Sequence, residues 1–542
     1  MIWRSLQHPS LWVYRDLASA CPQAFRRRIS RQSVASPSIA SILALPRVIE
    51  GSSPRHVQVT GHVRTVRNQK HRSFVELGDG STTASLQALL QPAQAASLGT
   101  GTAVTISGLW KPCPPGKEQT HELHAEDVKI VGVADPETYP IQKKYHSLEY
   151  LRTIPHLRLR TPFNALLARL RSECEFQITN FFHSHQFIRL HPPIITSSDC
   201  EGAGEVFTIT YDKASKEKGG DQKGTLQKGH DFFRTPRYLT VSSQLHLEAF
   251  IHEHQRVWTL SPIFRAEKSD TPRHLSEFYM LEAELRCDDL KDVMDLVEVL
   301  IRSLAIFLQN SPLGYELIAI DHHTEATPNK RICSRAETIQ RRWDGLKRTY
   351  WPRITYIEAI KLLKSAEASG EVKFVHRPSW EDGLHLEHER HIAAEVGLGS
   401  PVFVTNYPRS IKPFYMLPSE NVETILPGTS PTVACFDLLL PELCEVVGGS
   451  LREHRLEPLL QTMQSYGLYN NTNTLDNHTD VTKQGRSMIP GSLDWYVDLR
   501  RYGSVPHGGF GLGFDRLLCY LADVDNVRDM VAWPRYHGKC DG

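Results

Sequence analysis

The chain has 542 residues, a formal net charge of +1, 40% hydrophobic and 23% charged residues. That length exceeds one ordinary domain, and that composition belongs to a globular protein of about two to four domains. No apolar run reaches the ~18 residues of a membrane span, and the ten cysteines show neither a C-x-x-C pair nor zinc spacing, which excludes membrane insertion, a disulfide framework and a zinc site as organising features.

Residues 1–47 stand apart. They hold seven arginines, eight serines and a single acid, Asp16. An Arg-rich, Ser-rich, acid-poor leader has the composition of an organellar presequence, here read as a mitochondrial targeting peptide that sends the chain to the matrix. A positive segment is drawn toward an anionic, inside-negative membrane. The alternative reading is a tail without function, since Pro9 and Pro22 interrupt any long helix.

Residues 48–135 read as a separate domain, in which 57–133 alternate with period two, with Val57, Val59 and Val63 on one face of the first strand. Further strands are predicted at Ser73–Leu77, Ser85–Leu89, Val104–Leu109 and Val128–Val133. Five short strands in so few residues predict a small barrel, and the OB-fold is the common nucleic-acid-binding one. Val75 and Leu77 should point inward with Leu86 and Ala88, leaving Phe74 and Gln87 outward. An outward phenylalanine near Lys70 and Arg72 suits stacking on a base, worth ~1–3 kcal/mol; packing at the barrel edge is the other reading. Residues 136–160 read as a hinge.

From Phe163 the period becomes helical, through Leu167, Leu170, Cys174, Ile178 and Phe181. Residues 161–542 then form a larger α+β region, with polar insertions near 212–228 and 471–486 that read as solvated loops. Val257–Arg286 reads as two strands joined by a charged loop. Arg265 and Glu267 end the first strand and project together, because alternate residues of a strand share a face. His274, Glu277 and Phe278 begin the second. A cation, an acid and an aromatic on one sheet surface suit a nucleotide with phosphates and a stackable base. Singly, each could be a surface residue, since exposed Arg–Glu pairs contribute only ~0–1 kcal/mol. Near the C-terminus HGGFGLGFDRLL joins a glycine-rich strand to an amphipathic helix. Glycines allow close approach to the backbone, and Arg516 offers a planar fork for phosphate.

These two blocks resemble motifs 2 and 3 of class II aminoacyl-tRNA synthetases of the aspartyl/asparaginyl/lysyl subgroup. HPPIITSSDCEGAGEVF resembles the end of motif 1, at Pro193, together with the adjoining segment in this subgroup. YLTVSSQLHLEAF, IKPFYM, CFDLLLPELCEVVGGSLREHR and WYVDLRRYGSVPHGGFGLGF resemble the asparaginyl branch. An aspartyl enzyme carries a lysine three residues after the glutamine, where this chain has Gln244 and Leu247.

The resemblance implies a six-stranded antiparallel catalytic sheet, an anticodon-binding OB barrel and a homodimer formed through motif 1. It implies an asparagine–tRNA ligase that uses ATP and Mg2+ to activate L-asparagine and transfers it to tRNA(Asn). Arg265 matches the arginine on the α-phosphate, and Glu267 a glutamate near the adenine amino group or the tRNA terminus. His274 and Arg516 match residues on the γ-phosphate, and Phe278 the residue stacking on adenine. Asp437 and Glu445 match magnesium ligands. Glu201 and Gln244 match residues holding the α-ammonium, Arg452 the reader of the side-chain carbonyl, and Glu248 the acceptor of the side-chain amide. Phe74 and Gln87 match contacts to the middle anticodon base.

Four positions depart from the family pattern: Cys444 for glycine, Leu451 for glutamine, Asp515 for glutamate and Trp533 for phenylalanine. The competing readings are an aspartyl enzyme, possibly charging both tRNAs, and a synthetase-like protein without catalysis that binds RNA or regulates. The retention of Arg265, Glu267, Glu445 and Arg516 together argues against loss of catalysis. An ammonia-dependent asparagine synthetase shares the catalytic fold but has no use for the barrel.

Overall fold

The computed structural model describes residues 37–45, 55–114, 119–197, 206–210, 232–233, 236–320, 334–419, 431–468 and 493–541. The insertions near 212–228 and 471–486, and Glu201, lie outside them. The chain divides into two compact units between Lys144 and Tyr145, within the expected hinge.

The first unit opens with a short helix α1 (Ile39–Leu43), followed by β1 (Arg55–Asn68), β2 (Ser73–Gly78), β3 (Leu86–Leu90), β4 (Ala103–Pro112) and β5 (His121–Gly132). The strands close into a barrel in the order β1-β2-β3-β5-β4. Strand β1 pairs with β2 and with β4, and its register shifts between Val63 and Thr65; such a bulge bends a long strand enough to serve two neighbours. Val59, Val75, Leu77, Leu86, Ala88, Val104 and Ile106 are buried in the core, as alternation requires. Strand β5 starts well before the expected Val128, because His121–His124 carry little apolar alternation and enter the sheet by pairing with β4.

Helix α1 corrects the leader boundary. Ile39 and Ile42 are 0% and 1% exposed within the barrel core. The Ile39 amide donates to Asp79 Oδ2 (2.8 Å) and that of Ala40 to Ser81 Oγ (3.0 Å), while Ser38 Oγ caps the helix. The segment Ser38–Leu43 is therefore part of the folded barrel, and a leader ending at residue 47 would cut into it. The isoleucine pair, one helical turn apart, was hidden in a stretch whose composition is dominated by arginine and serine.

The second unit is built on an eight-stranded sheet. The elements that frame the sheet and the site are, in chain order, α2 (Pro162–Ser184), β6 (Ile188–Arg189), α3 (Gln244–Ile251), β7 (Arg256–Phe264), β8 (Glu277–Leu285), α4 (Leu290–Gln309), β9 (Arg353–Thr355), α5 (Leu386–Glu395), β10 (Val402–Thr405), β11 (Cys435–Leu440), β12 (Cys444–Leu451), α6 (Asp494–Arg501), β13 (Gly508–Gly513) and α7 (Phe514–Ala522), with further helices between them. The strand order is β9-β10-β11-β12-β13-β8-β7-β6. The middle six are antiparallel, as expected, and β9 and β6 add a short parallel strand at each edge.

Helix α2 begins at an N-cap Thr161 with Pro162 in its first turn, and it buries Phe163, Leu167, Leu170, Cys174, Ile178 and Phe181. A proline there loses no intrahelical bond. Leu281, Ala283, Leu438, Val447 and Leu512 of the sheet share one core with α2, α4 and α7. These helices cover one face; on the other, Val402, Val404, Cys435 and Leu439 pack against α5 at one end of the sheet, and the site lies beside them. Among the described residues no helix is long and apolar enough to cross a membrane.

Candidate active site

Strand β8 shows how the sheet sorts its side chains. Leu281, Ala283 and Leu285 are in the core, while Phe278, Met280 and Glu282 line a cavity of about 650 Å³ on the opposite face; this is the period of two. Glu284 continues that face. Strand β13 places Gly509, Gly511 and Gly513 opposite Glu284, Glu282 and Met280. A Cβ at Gly509 would come within 2.3 Å of the Glu284 carboxyl carbon. One purpose of the glycine-rich strand is therefore room for a neighbouring side chain.

The cavity gathers Gln244, Arg265, Glu267, His274, Phe278, Asp437, Glu445, Arg452 and Arg516. These come from four separate stretches of sequence, joined only by the fold. Arg265 lies just past β7, its guanidinium 5.6 Å from the Phe278 ring centroid. His274 Nε2 is 3.4 Å from Glu267 Oε2, and its Nδ1 meets the hydroxyls of Thr271 (2.5 Å) and Ser269 (3.1 Å). Burial lowers the His274 pKa, against the pull of Glu267. Arg516 sits in the first turn of α7, while Leu517, Leu518 and Leu521 are fully buried. Burial also lowers its pKa, and Glu445 offsets part of this.

Asp437 on β11 and Glu445 on β12 face the same part of the cavity. A Cβ at Gly448, the partner of Asp437 across the ladder, would lie 3.5 Å from Asp437 Oδ1 and 3.7 Å from Glu445 Oε1. The missing side chain leaves open space between two carboxylates, a donor set that fits magnesium shared with phosphates. Among the described residues no group of three or more histidine, cysteine or acidic side chains is placed to hold a metal alone. Asp437 also takes a lysine: Lys412 Nζ donates to both its oxygens, at 2.7 and 2.9 Å.

Arg452 lines the cavity and is 2% exposed. Glu284 accepts from its Nη2 (2.6 Å) and Nε (3.3 Å). Gln244 opens α3 and also lines the cavity. Its Nε2 donates to Glu248 Oε1 at 3.0 Å. Glu248 itself is 0% exposed and is absent from the cavity lining. Its Oε2 accepts from Tyr496 (2.7 Å) and Arg500 (2.6 Å) on α6, with His507 Nε2 at 3.2 Å. Burial disfavours its charge, but Arg500 and His507 overcome that and hold its carboxyl well below the usual range. The direct contact with a side-chain amide expected of Glu248 is thus not the geometry found, because its oxygens are already taken. Nor is Glu248 a solvated helix residue.

In the barrel, Phe74 and Gln87 point away from the core, as alternation demands. Phe74 is half-buried, with Arg67, its ladder partner, 4.8 Å from its ring centroid, rather than Lys70 or Arg72. Gln87 Nε2 donates to Glu122 Oε2 at 2.8 Å.

Residues 147–537 match the family described as "tRNA synthetases class II (D, K and N)". The chain belongs to this family. It is 40% identical over 492 residues to the asparagine–tRNA ligase of Microcystis aeruginosa, covering 90% of this chain and 96% of that one. It is 37% identical over 514 residues to the mitochondrial asparagine–tRNA ligase of Saccharomyces cerevisiae, covering 92% and 96%. Among solved structures, the asparaginyl-tRNA synthetase of Pyrococcus horikoshii complexed with asparaginyl-adenylate superposes with a TM-score of 0.72 at 26% identity, covering 94% of this chain and 99% of that one.

The departures from the synthetase pattern now have positions. Cys444 has φ of 71°, a left-handed backbone that explains why glycine is favoured there. Asp515 accepts from Arg171 (2.5 Å) and from the Tyr279 amide (2.8 Å), tying α2 and β8 to the start of α7. Leu451 is buried, and Trp533 is 40% exposed. The sequence reading missed four residues near these motifs. Arg273, Lys412 and Glu282 line the cavity. Glu389 on α5 accepts from the Glu445 amide at 3.2 Å. Burial, then Glu445, pushes its carboxyl up to about 7. Arg273 Nε is buried with no hydrogen-bond partner among the described residues, a state that an incoming anion would relieve. Its place beside His274 was the available signal; nothing in the sequence marks Glu389.

Proposed function

We propose that this class II synthetase is an asparagine–tRNA ligase: it activates L-asparagine with ATP and transfers it to the 3′ end of tRNA(Asn). The observation that carries this is one cavity holding two sets of residues. Arg265, Arg273, His274 and Arg516 offer positive or donor groups to a triphosphate beside Phe278, and Gln244 and Arg452 meet a small amphoteric substrate.

In the first step the asparagine carboxylate attacks the α-phosphorus and pyrophosphate leaves. Arg265 stabilises the charge that builds on the α-phosphate, while His274 and Arg516 hold the γ-phosphate, and Arg273 adds a further cation. Glu267 takes the adenine amino group or the tRNA terminus. Asp437 and Glu445 would hold Mg2+, which when bound neutralises and aligns the phosphates. In the second step a terminal ribose hydroxyl attacks the mixed anhydride and AMP departs. No protein nucleophile is required, because positioning and charge stabilisation carry the barrier.

With its NH2 group held by Glu248, Gln244 has its carbonyl oxygen to offer as acceptor to the substrate ammonium. Glu201, by its match to the family pattern, would share the ammonium with it. Arg452 reads the side-chain carbonyl. Its charge is already met by Glu284, and that of Glu248 by Arg500, so an aspartate carboxylate would enter as the unmatched charge of a buried layer. A neutral amide does not incur that cost. Phe74 and Gln87 meet the anticodon. The exposed Ile188, Ile194 and Ile195 in the motif 1 segment support a homodimer. The basic leader and the likeness to the yeast mitochondrial ligase support a mitochondrial matrix location. The test is charging of a tRNA(Asn) transcript with labelled asparagine; charging with aspartate instead, or none, contradicts the reading.

A further inference from the structure

Lys412 stands where a metal would compete with it. It is carried by the loop after the short 3-10 turn Arg409–Ile411, and that loop is fixed from outside: the Tyr466 hydroxyl shares its one proton between the carbonyls of Arg409 (2.9 Å) and Lys412 (2.7 Å). The ammonium is 4.0 Å from the Tyr407 ring centroid and bonded to both Asp437 oxygens. Both side chains are mostly buried, at 16% and 14% exposure. Glu445 lies across the gap left by Gly448, and Glu389 lies behind Glu445.

The two carboxylates that face each other across this gap, with Glu389 adding negative charge behind them, attract a divalent cation. A fixed ammonium on one of them removes a ligand and adds a repelling charge. We propose that Lys412 is the resident counterion of Asp437 and prevents this corner from taking a divalent cation until nucleotide phosphates arrive with it. The inference rests on the magnesium reading of Asp437 and Glu445. Its consequence is that the metal enters with ATP, so that the free enzyme does not hold an ion that would misplace the phosphates.

The experiment measures Mn2+ binding, by the loss of the free-ion paramagnetic resonance signal, to the whole protein without and with a non-hydrolysable ATP analogue. Lys412→Met, which keeps a chain of similar length without the charge, should bind Mn2+ without nucleotide at least about tenfold more tightly than wild type. Its thermal midpoint should rise with added MnCl2, while that of the wild type stays constant. Lys412→Arg should behave as wild type, and Asp437→Asn combined with Lys412→Met should lose the gained affinity. Should Lys412→Met not fold, Lys412→Gln, with its neutral donor, replaces it with the same expected direction. Equal or weaker Mn2+ binding by the neutral variant overturns the inference while leaving the magnesium reading intact. Failure of the wild type to bind Mn2+ even with the nucleotide overturns both.

Discussion

Glu284 and Arg452 form a two-bond pair sealed beneath the cavity, with Nη2 at 2.6 Å, Nε at 3.3 Å and both side chains at most 2% exposed. The pair exists because Gly509, opposite Glu284 on the next strand, has no side chain to displace the carboxyl group. Burial raises the Glu284 pKa, and Arg452 counters it. Glu284→Gln removes the anion that matches Arg452 and leaves a cation seeking one. The ratio of kcat/KM for asparagine over aspartate should fall by at least ~10-fold, equivalent to 1.4 kcal/mol. An unchanged ratio would show that the pair has only a packing role.

Glu248 and Arg500 predict a different outcome, in which stability comes first. Both side chains are 0% exposed and joined at 2.6 Å. Breaking such a pair from one side costs about 3–5 kcal/mol, because a buried charge is left unmatched. Glu248→Gln should therefore lower the thermal midpoint and, by releasing Gln244, raise the KM for asparagine. Combining it with Arg500→Met should recover part of the lost stability. A single variant as stable as wild type would mean that the network is not held as found.

Phe74→Ala should weaken tRNA use by ~1–3 kcal/mol and leave adenylate formation untouched. The residue belongs to the barrel, while every ATP-facing group belongs to the second unit. The comparison is aminoacylation against ATP–pyrophosphate exchange. Equal losses in both would make Phe74 a packing residue under Arg67.

Truncation locates the edge of the leader. A chain beginning at Ile49 lacks Ile39 and Ile42, each worth about 1.5–3 kcal/mol of burial, and should melt earlier and charge tRNA less well. One beginning at Ser36 keeps the helix, so it should match the full chain in charging while failing to enter mitochondria. Equal melting of the two shortened chains would contradict the role given to α1.

Much of this was legible in the sequence because the signals were local. The alternation of Val75 and Leu77 placed Phe74 on the right face of β2, and the i, i+3/i+4 rhythm from Phe163 to Phe181 gave helix α2. Arg265, Glu267 and His274 lie on the loop of one hairpin, between Phe264 and Glu277, so a short stretch of sequence carries all three. What stayed hidden was set by distant partners. Nothing around Glu248 announces that Tyr496, Arg500 and His507 will fill its coordination. Lys412 reads as an ordinary lysine until β11 brings Asp437 beside it, and Glu389 is an acid on an exposed-looking helix until Glu445 arrives. A glycine such as Gly509 shows its reason only when the opposing side chain is known.

The central claim is that this cavity activates asparagine. ATP–pyrophosphate exchange, measured with asparagine and with aspartate on wild type and on Arg516→Ala, tests it directly. The wild type should exchange with asparagine at a kcat/KM at least ~10⁴ times that with aspartate, and Arg516→Ala should lose exchange while keeping its circular dichroism and melting temperature. Comparable exchange with both amino acids, or near-normal exchange by a folded Arg516→Ala, would contradict the account.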